Sequence, residues 1–304
     1  MEITNQIHAI GAHDRQLAMR DLKPLSGLDR AEHDQFWPAW TAIMPRRRAE
    51  IARSMVELAE DNVDLDFSEA LQWMLDDDDA EVRANAVEGL WESDSSRVLH
   101  QLLTMLRSDP APAVRTRVAM SLSRFAYLAE TEELNERDAT AVRDGLLHAL
   151  LDQRQPLDVR RRALESAGYF ANVPEVQQQV GLAYESDEQL LRESALVAMG
   201  RSMLPRWMPT IAKELDSPSP ALRYEAAHAV GEFAEQGRTL LPKLMPLLND
   251  SDSEVAFAAI WALGQVGGDS AKRVLQQIRK TDDEARRLAA IDALEELELG
   301  DQLI

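Results

Sequence analysis

Apolar positions along the chain fall into pairs of helical stripes, and each pair is broken by a short turn rich in Asp, Ser or Pro. In the clearest pair, Leu241, Leu244, Leu247 and Leu248 recur at helical spacing and stop at Asn249-Asp250-Ser251-Asp252. A second stripe runs from Glu254 to Gly264. A 3.6-residue period puts such stripes on one face of an amphipathic helix. Asp252 stands at the N-cap, where its carboxylate accepts from the free N–H groups of the first turn. Gly264 lies near the helix end, where a missing Cβ permits a tight exit or a close neighbour.

The same grammar predicts further pairs: 71–75 with 82–90, 99–106 with 114–122, 146–151 with 159–167, 176–184 with 191–199, 207–215 with 222–230, and 271–278 with 286–294. The second helices share a phrase. An aliphatic residue is usually followed by Arg, with a small or apolar residue four positions on and a small or aliphatic one eight on. The phrase begins at Val82, Val114, Val159, Leu191, Leu222, Val255 and Arg286, with steps of 31–33 residues and a single step of 45. A recurrence of that length means stacked helix pairs, each burying its apolar face against the next. The expected fold is all-α, a right-handed α-solenoid (superhelix) of antiparallel helix pairs. Small residues at the fourth and eighth positions (Ala163, Ala167, Ala195, Ala226, Ala259, Ala290) let neighbouring second helices approach closely.

The pattern D-x-x-V-R-x-x-A-x-x-A-L-G resembles a HEAT repeat of the short, phycobilin-lyase type, within the HEAT-like/armadillo architecture. Residues 70–297 carry seven copies, most faithfully at 79–90, 222–231 and 254–264. The resemblance implies that the Arg after the anchor belongs to a ladder bonding neighbouring turns. The matching positions are Arg83, Arg115, Arg160, Arg192, Arg223 and Arg287. Ala256 interrupts the series, so one inter-repeat bond is expected to be absent there.

Two regions depart from the period. The long step places extra residues near 129–139, read as a longer loop or a helix extension. Upstream, residues 25–69 resemble degenerate capping helices, entered through Ser26-Gly27-Leu28-Asp29 and carrying Phe36, Trp37 and Trp40. Residues 1–24 are read as a helix through Ile3, Ile7 and Ile10 or a flexible segment, and 298–304 as a tail.

Composition supports helices: 45% of residues are hydrophobic but only 5% aromatic, a bias that suits helix packing better than a β-sandwich. Asp and Glu number 53 against 33 Lys and Arg, a formal charge of −20. That field opposes phosphate backbones and anionic membranes, so neither nucleic acid nor membrane insertion is expected. The chain has no Cys, which removes disulfides, thiolate zinc sites and thiol catalysis. The start of the sequence lacks a secretory signal and no stretch has transmembrane length, so the expectation is a cytoplasmic protein.

No catalytic set emerges, and no cofactor is implied. The His residues at 8, 13, 33, 100, 148 and 228 include no i, i+4 pair. Some HEAT-repeat enzymes bind paired iron through His-Glu dipeptides, and this sequence has none. Asp76–Asp79 lack the Gly and Glu of a calcium loop and read as a helix terminus with its N-cap. Arg46–Arg48 and Arg160–Arg162 read as locally paired or solvated, with Arg160 also on the ladder.

One surface stands out. In a solenoid of this type the second helices line the concave side. Residues two and six places after the anchor point outward there. The two-place row is Ala84, Thr116, Arg161, Glu193, Tyr224, Phe257, Leu288, and the six-place row is Glu88, Met120, Glu165, Val197, His228, Trp261, Asp292. Tyr224, His228, Phe257 and Trp261 come from consecutive repeats and are the candidate partner-binding residues. The alternative is that they pack between repeats. Three functions follow: a non-catalytic scaffold or adaptor holding a protein partner, a bilin lyase or chromophore-handling chaperone by resemblance, and a DNA-lesion binder. The last asks for a basic concave face, to which these rows supply only Arg161.

Overall fold

The computed structural model describes residues 3–12 and 16–302, side chains being described to Leu299. His13 lies outside the described residues. Every regular element among them is a helix. The chain forms two compact units, 1–166 and 167–304.

In the N-terminal unit, α1 (Ile3–Gly11) buries Ile3, Ile7 and Ile10. It packs on α2 (His33–Thr41) and α3 (Pro45–Asp61). Then come α4 (Ser68–Met74) with α5 (Ala80–Gly89), α6 (Ser96–Ser108) with α7 (Pro112–Glu130), α8 (Glu136–Leu151) and α9 (Leu157–Ala167). The second helices α3, α5 and α7 lie side by side, while α8 packs on α6 and α7. The extra residues of the long step extend helices rather than open a loop. α7 runs on to Glu130, and α8 starts early at Glu136, capped by the Asn135 side chain. Between them the chain reverses through a short turn with Glu132 at φ 61°.

In the C-terminal unit, α10 (Pro174–Tyr184) pairs with α11 (Gln189–Ser202) and α12 (Met208–Glu214) with α13 (Pro220–Glu232). Short turns of helix at 234–240 and 245–249, on either side of α14 (Leu241–Leu244), back α15 (Ser253–Val266). α16 (Gly268–Ile278) packs on α17 (Glu284–Gln302), which continues well past Leu297. Here α11, α13, α15 and α17 form one layer. Pro45, Pro112, Pro174 and Pro220 open α3, α7, α10 and α13, where the missing N–H costs least.

Glycine sets the spacing of this layer. A Cβ on Gly168 would stand 2.7 Å from Ala198 Cα, one on Gly200 3.0 Å from Ala229 Cα, and one on Gly264 2.9 Å from the Ala293 carbonyl oxygen. Each glycine comes nine residues after its repeat's anchor and meets an alanine seven residues after the next, so the helices touch backbone to backbone.

The arginine ladder is built on the turns. Arg83 Nε and Nη2 donate to both oxygens of Asp109 at 2.8 and 2.9 Å. Its Nη1 donates to the carbonyls of Asp77 and Asp78 at 2.8 and 3.1 Å. One guanidinium thus ties the turn before its own helix to the turn of the next repeat. Arg223 repeats the geometry with Asp250, twice at 2.7 Å, and with the Ser217 carbonyl at 2.9 Å. The acceptor stands two residues before the N-cap and also takes the N-cap N–H, from Asp79 to Asp77 at 2.9 Å, Ala111 to Asp109 at 2.8 Å and Asp252 to Asp250 at 2.9 Å.

Other positions differ. Arg115 reaches Gln155 at 3.0 Å and the Asp109 carbonyl at 2.5 Å, and Arg160 donates to the Leu150 carbonyl at 3.2 Å. Arg192 has a buried Nε with no hydrogen-bond partner among the described residues. The turn of the next repeat carries Ser217 at the acceptor place, which offers no carboxylate. Arg287 is exposed and lies 3.6 Å from Glu284.

Arg48 is a correction to the expected local pairing of Arg46–Arg48. It is buried, with Nε 2.9 Å from Asp77 and Nη2 donating to the same carboxylate at 3.0 Å. Trp40 Nε1 donates to Asp77 as well, at 2.7 Å. Arg48 is therefore a rung contributed by α3, a helix of the degenerate N-terminal region. Arg161 and Arg162 do pair locally, with Asp158 and Glu165, both at 2.7 Å.

This packing and the ladder yield three expected outcomes. Gly168→Ala, at a buried position outside the helix and against backbone, should cost about 1–3 kcal/mol, read from the midpoint of urea unfolding. Arg83→Ala strands the buried Asp109 carboxylate and should cost about 3–5 kcal/mol. For Asp250, the hydrogen bonds from Arg223 hold the carboxyl below its ordinary value. Its stabilisation is therefore present above the unfolded-state pKa and is lost as pH falls below about 4. Asp250→Asn should shallow the acid limb of stability against pH and leave the alkaline limb unchanged.

Candidate functional site

The layer formed by α11, α13, α15 and α17 carries the aromatic candidates. Tyr224 and His228 sit one turn apart on α13, their ring centroids 4.6 Å apart. His228 also meets Trp261 of α15, again at 4.6 Å and with the rings inclined by 35°. Phe257 precedes Trp261 by one turn on α15 and makes no ring contact with the other three among the described residues. The structure therefore joins Tyr224, His228 and Trp261 in one cluster, with Phe257 beside it. All four side chains are half-buried.

Trp261 occupies an unusual place in the packing scheme. Its ring lies on Gly231 of α13, where an added Cβ would collide with Cζ3 and stand 3.0 Å from Cε3 and Cη2. At this joint a glycine nine residues after the anchor receives an indole rather than an alanine. Packing between repeats and partial exposure thus coexist in one side chain.

Burial pushes the His228 imidazole below its ordinary value, so it is neutral at pH 7. The Tyr224 hydroxyl is pushed up, first by burial and then by the carboxylates of Glu225 and Glu254. The cluster is bordered by half-buried Val197 on α11 and by Leu288 on α17, which is 50% exposed. Glu254 acts from α15, while Glu193 and Asp292 occupy the two-place row of α11 and the six-place row of α17. Arg201 lies over the Tyr169 ring, 5.2 Å from its centroid.

Two other histidines serve packing or pairing. His33 stacks on Trp37 at 5.8 Å, and His100 Nε2 lies 2.8 Å from Asp138. Asp79 caps α5 through the N–H groups of Glu81 and Val82, the role read for the four-aspartate run. Among the described residues no group of His, Asp and Glu could hold a metal ion, and no helix is long and apolar enough to cross a membrane. An open groove of about 490 Å³ between α6 and α8, lined by Leu103, Arg107, Gly145 and His148, lies apart from the aromatic cluster.

A sequence profile of HEAT repeats matches residues 68–146 and 208–295, more than half of the chain. The chain belongs to the HEAT-repeat family. No curated protein matches the sequence. Among solved structures, the complex of CpcE and CpcF of phycocyanin lyase from Nostoc sp. is similar at 18% identity and a TM-score of 0.54, covering 78% of this chain and 94% of that one. Human deoxyhypusine hydroxylase in complex with glycerol aligns at 15% identity and a TM-score of 0.37, covering 97% of both chains. An engineered protein aligns at 19% and 0.42, covering 97% of this chain and 88% of that one. The phycocyanin-lyase likeness, with the repeat profile, shows the all-α repeat architecture.

Sequence reasoning missed the acceptor half of the ladder and the seat of Trp261. The acceptor had a signal, an Asp two residues before each cap in Asp77-Asp78-Asp79 and Asp250-Ser251-Asp252. Because Trp261 is braced on Gly231, Trp261→Ala should destabilise the protein by about 2–4 kcal/mol. Phe257→Ser should cost less than half of that, both measured by chemical denaturation.

Proposed function

We propose that this HEAT-repeat chain is a non-catalytic scaffold or adaptor that holds a protein partner on the second-helix layer of its C-terminal unit. One observation carries the reading. Tyr224, His228, Phe257 and Trp261, with Val197 and Leu288 beside them, form a contiguous, partly exposed apolar and aromatic face on four successive second helices. A surface that keeps large rings half in water, within a polar rim, has the composition of an interaction hot spot. Repeat packing explains Trp261 but gives no reason for Leu288 to stand exposed. The phycocyanin-lyase likeness concerns the fold, and fold alone does not transmit function. The DNA-lesion reading needs a basic face, and the side chains around this one are carboxylates.

The test is crosslinking and affinity capture from native cell extract, comparing the natural chain with Phe257→Ser/Leu288→Ser. Both positions lie outside the Trp261–Gly231 contact, so the variant should retain a cooperative unfolding transition. Partners captured by the natural chain should be reduced at least about tenfold, as for loss of one hot spot. Equal capture by a folded variant would remove this face from the function.

A further inference from the structure

The charge pattern around the face narrows the chemistry of what it binds, and this step rests on the scaffold reading above. Helix α15 runs through the middle of the patch, and over Ser253–Val266 its single charged side chain is Glu254. On the neighbouring helix, Glu225 acts with Glu254 on the Tyr224 hydroxyl, which places both carboxylates near that ring. Asp292, exposed on α17, and Glu193 on α11 continue the acidic border. Apart from Arg192, whose Nε is buried at its ladder position, the cations on these helices are engaged elsewhere. Arg223 is bound to Asp250 in the ladder, and Arg201 lies over Tyr169. Arg286 and Arg287 pair with Asp283 and Glu284 at the start of α17. His228, desolvated between Tyr224 and Trp261, adds no positive charge at neutral pH. The patch is thus an aromatic surface with a negative border, on a chain of formal charge −20.

We propose that this face receives a cationic amphipathic segment of a partner protein, its apolar side lying on Phe257, Trp261 and Leu288 and its Lys or Arg side chains reaching the exposed Glu254 and Asp292. Each part has a physical reason. Lys and Arg stems are apolar and cover ring faces while their heads remain near carboxylates. The π-faces of Tyr and Trp attract cations. The negative field of the chain raises the encounter rate with a basic segment and repels an acidic one.

The experiment uses the full chain and three labelled helical peptides that share one apolar face. Their polar faces carry Lys/Arg, Ser/Gln or Asp/Glu. Fluorescence anisotropy at low salt should show the basic peptide binding at least about tenfold tighter than the neutral one. Raising the salt through the physiological range should shrink that advantage. Glu254→Gln/Asp292→Asn, at two exposed positions, should weaken the basic peptide about fivefold or more and leave the neutral peptide unchanged. Phe257→Ser should weaken both. Asp292→Asn alone serves as a second variant if the double variant melts early.

The proposal falls if the neutral or acidic peptide binds as tightly as the basic one. It also falls if basic-peptide affinity ignores both the carboxylate and Phe257 variants, the outcome of diffuse attraction to an acidic chain. Either result alongside Phe257-dependent capture from extract would leave the scaffold reading standing and remove only the cationic partner. Loss of Phe257 dependence in both experiments would remove the scaffold reading too.

Discussion

The C-terminal unit depends on how closely one second helix can approach the next. Gly168 and Gly264 each face an alanine backbone at a distance that admits no Cβ, and Gly200 faces one where a Cβ would be crowded. Close approach gives a helix layer its dispersion contacts, and at this range a single methyl group requires the backbone to shift. The apolar stripes then fill the remaining space from both sides. The arginine rungs act on a different part of the repeat, the turns, where helix caps and carboxylates converge. Helix spacing is therefore set by sterics and turn registration by charge.

These two devices explain the regularity of the repeats and also their exceptions. Where a turn offers Asp two residues before the cap, the guanidinium of the preceding repeat is held by two hydrogen bonds, as at Asp109 and Asp250. Where it offers Ser217, Arg192 keeps a buried Nε unsatisfied. Position 256 carries Ala, and the acceptor place of the following turn holds Thr281, whose hydroxyl takes the Asp283 N–H at 3.5 Å. Successive joints in one unit thus differ in chemistry while sharing a backbone geometry.

Most of the fold was legible because repetition multiplies weak signals. No single stripe of Leu and Ala proves a helix pair, but seven phrases at one period do. The resemblance supplied the donor arginines, whose place follows the anchor directly. Their acceptors were harder to see, because Asp77 and Asp109 resemble any acidic turn until the next helix is set beside them. Arg48 was hidden for a related reason: its repeat lacks an aliphatic anchor, Arg47 standing in that place. The outward rows put Tyr224 and His228 on α13 and Phe257 and Trp261 on α15, where three of the four rings meet. They could not show that Gly231 makes room for the Trp261 ring, because that fit depends on the separation of two helices rather than on either sequence alone.

Trp261 belongs to two assemblies at once, the joint between α13 and α15 and the surface that faces outward. A ligand resting on its exposed side and a shift in helix separation act on the same indole. By thermodynamic reciprocity, whatever one does to the ring's free energy the other must feel in equal measure. The ring is in that sense a gauge set into the seam: occupancy of the face is registered as tension or slack between two repeats, and strain applied to the repeats is registered as a change in grip.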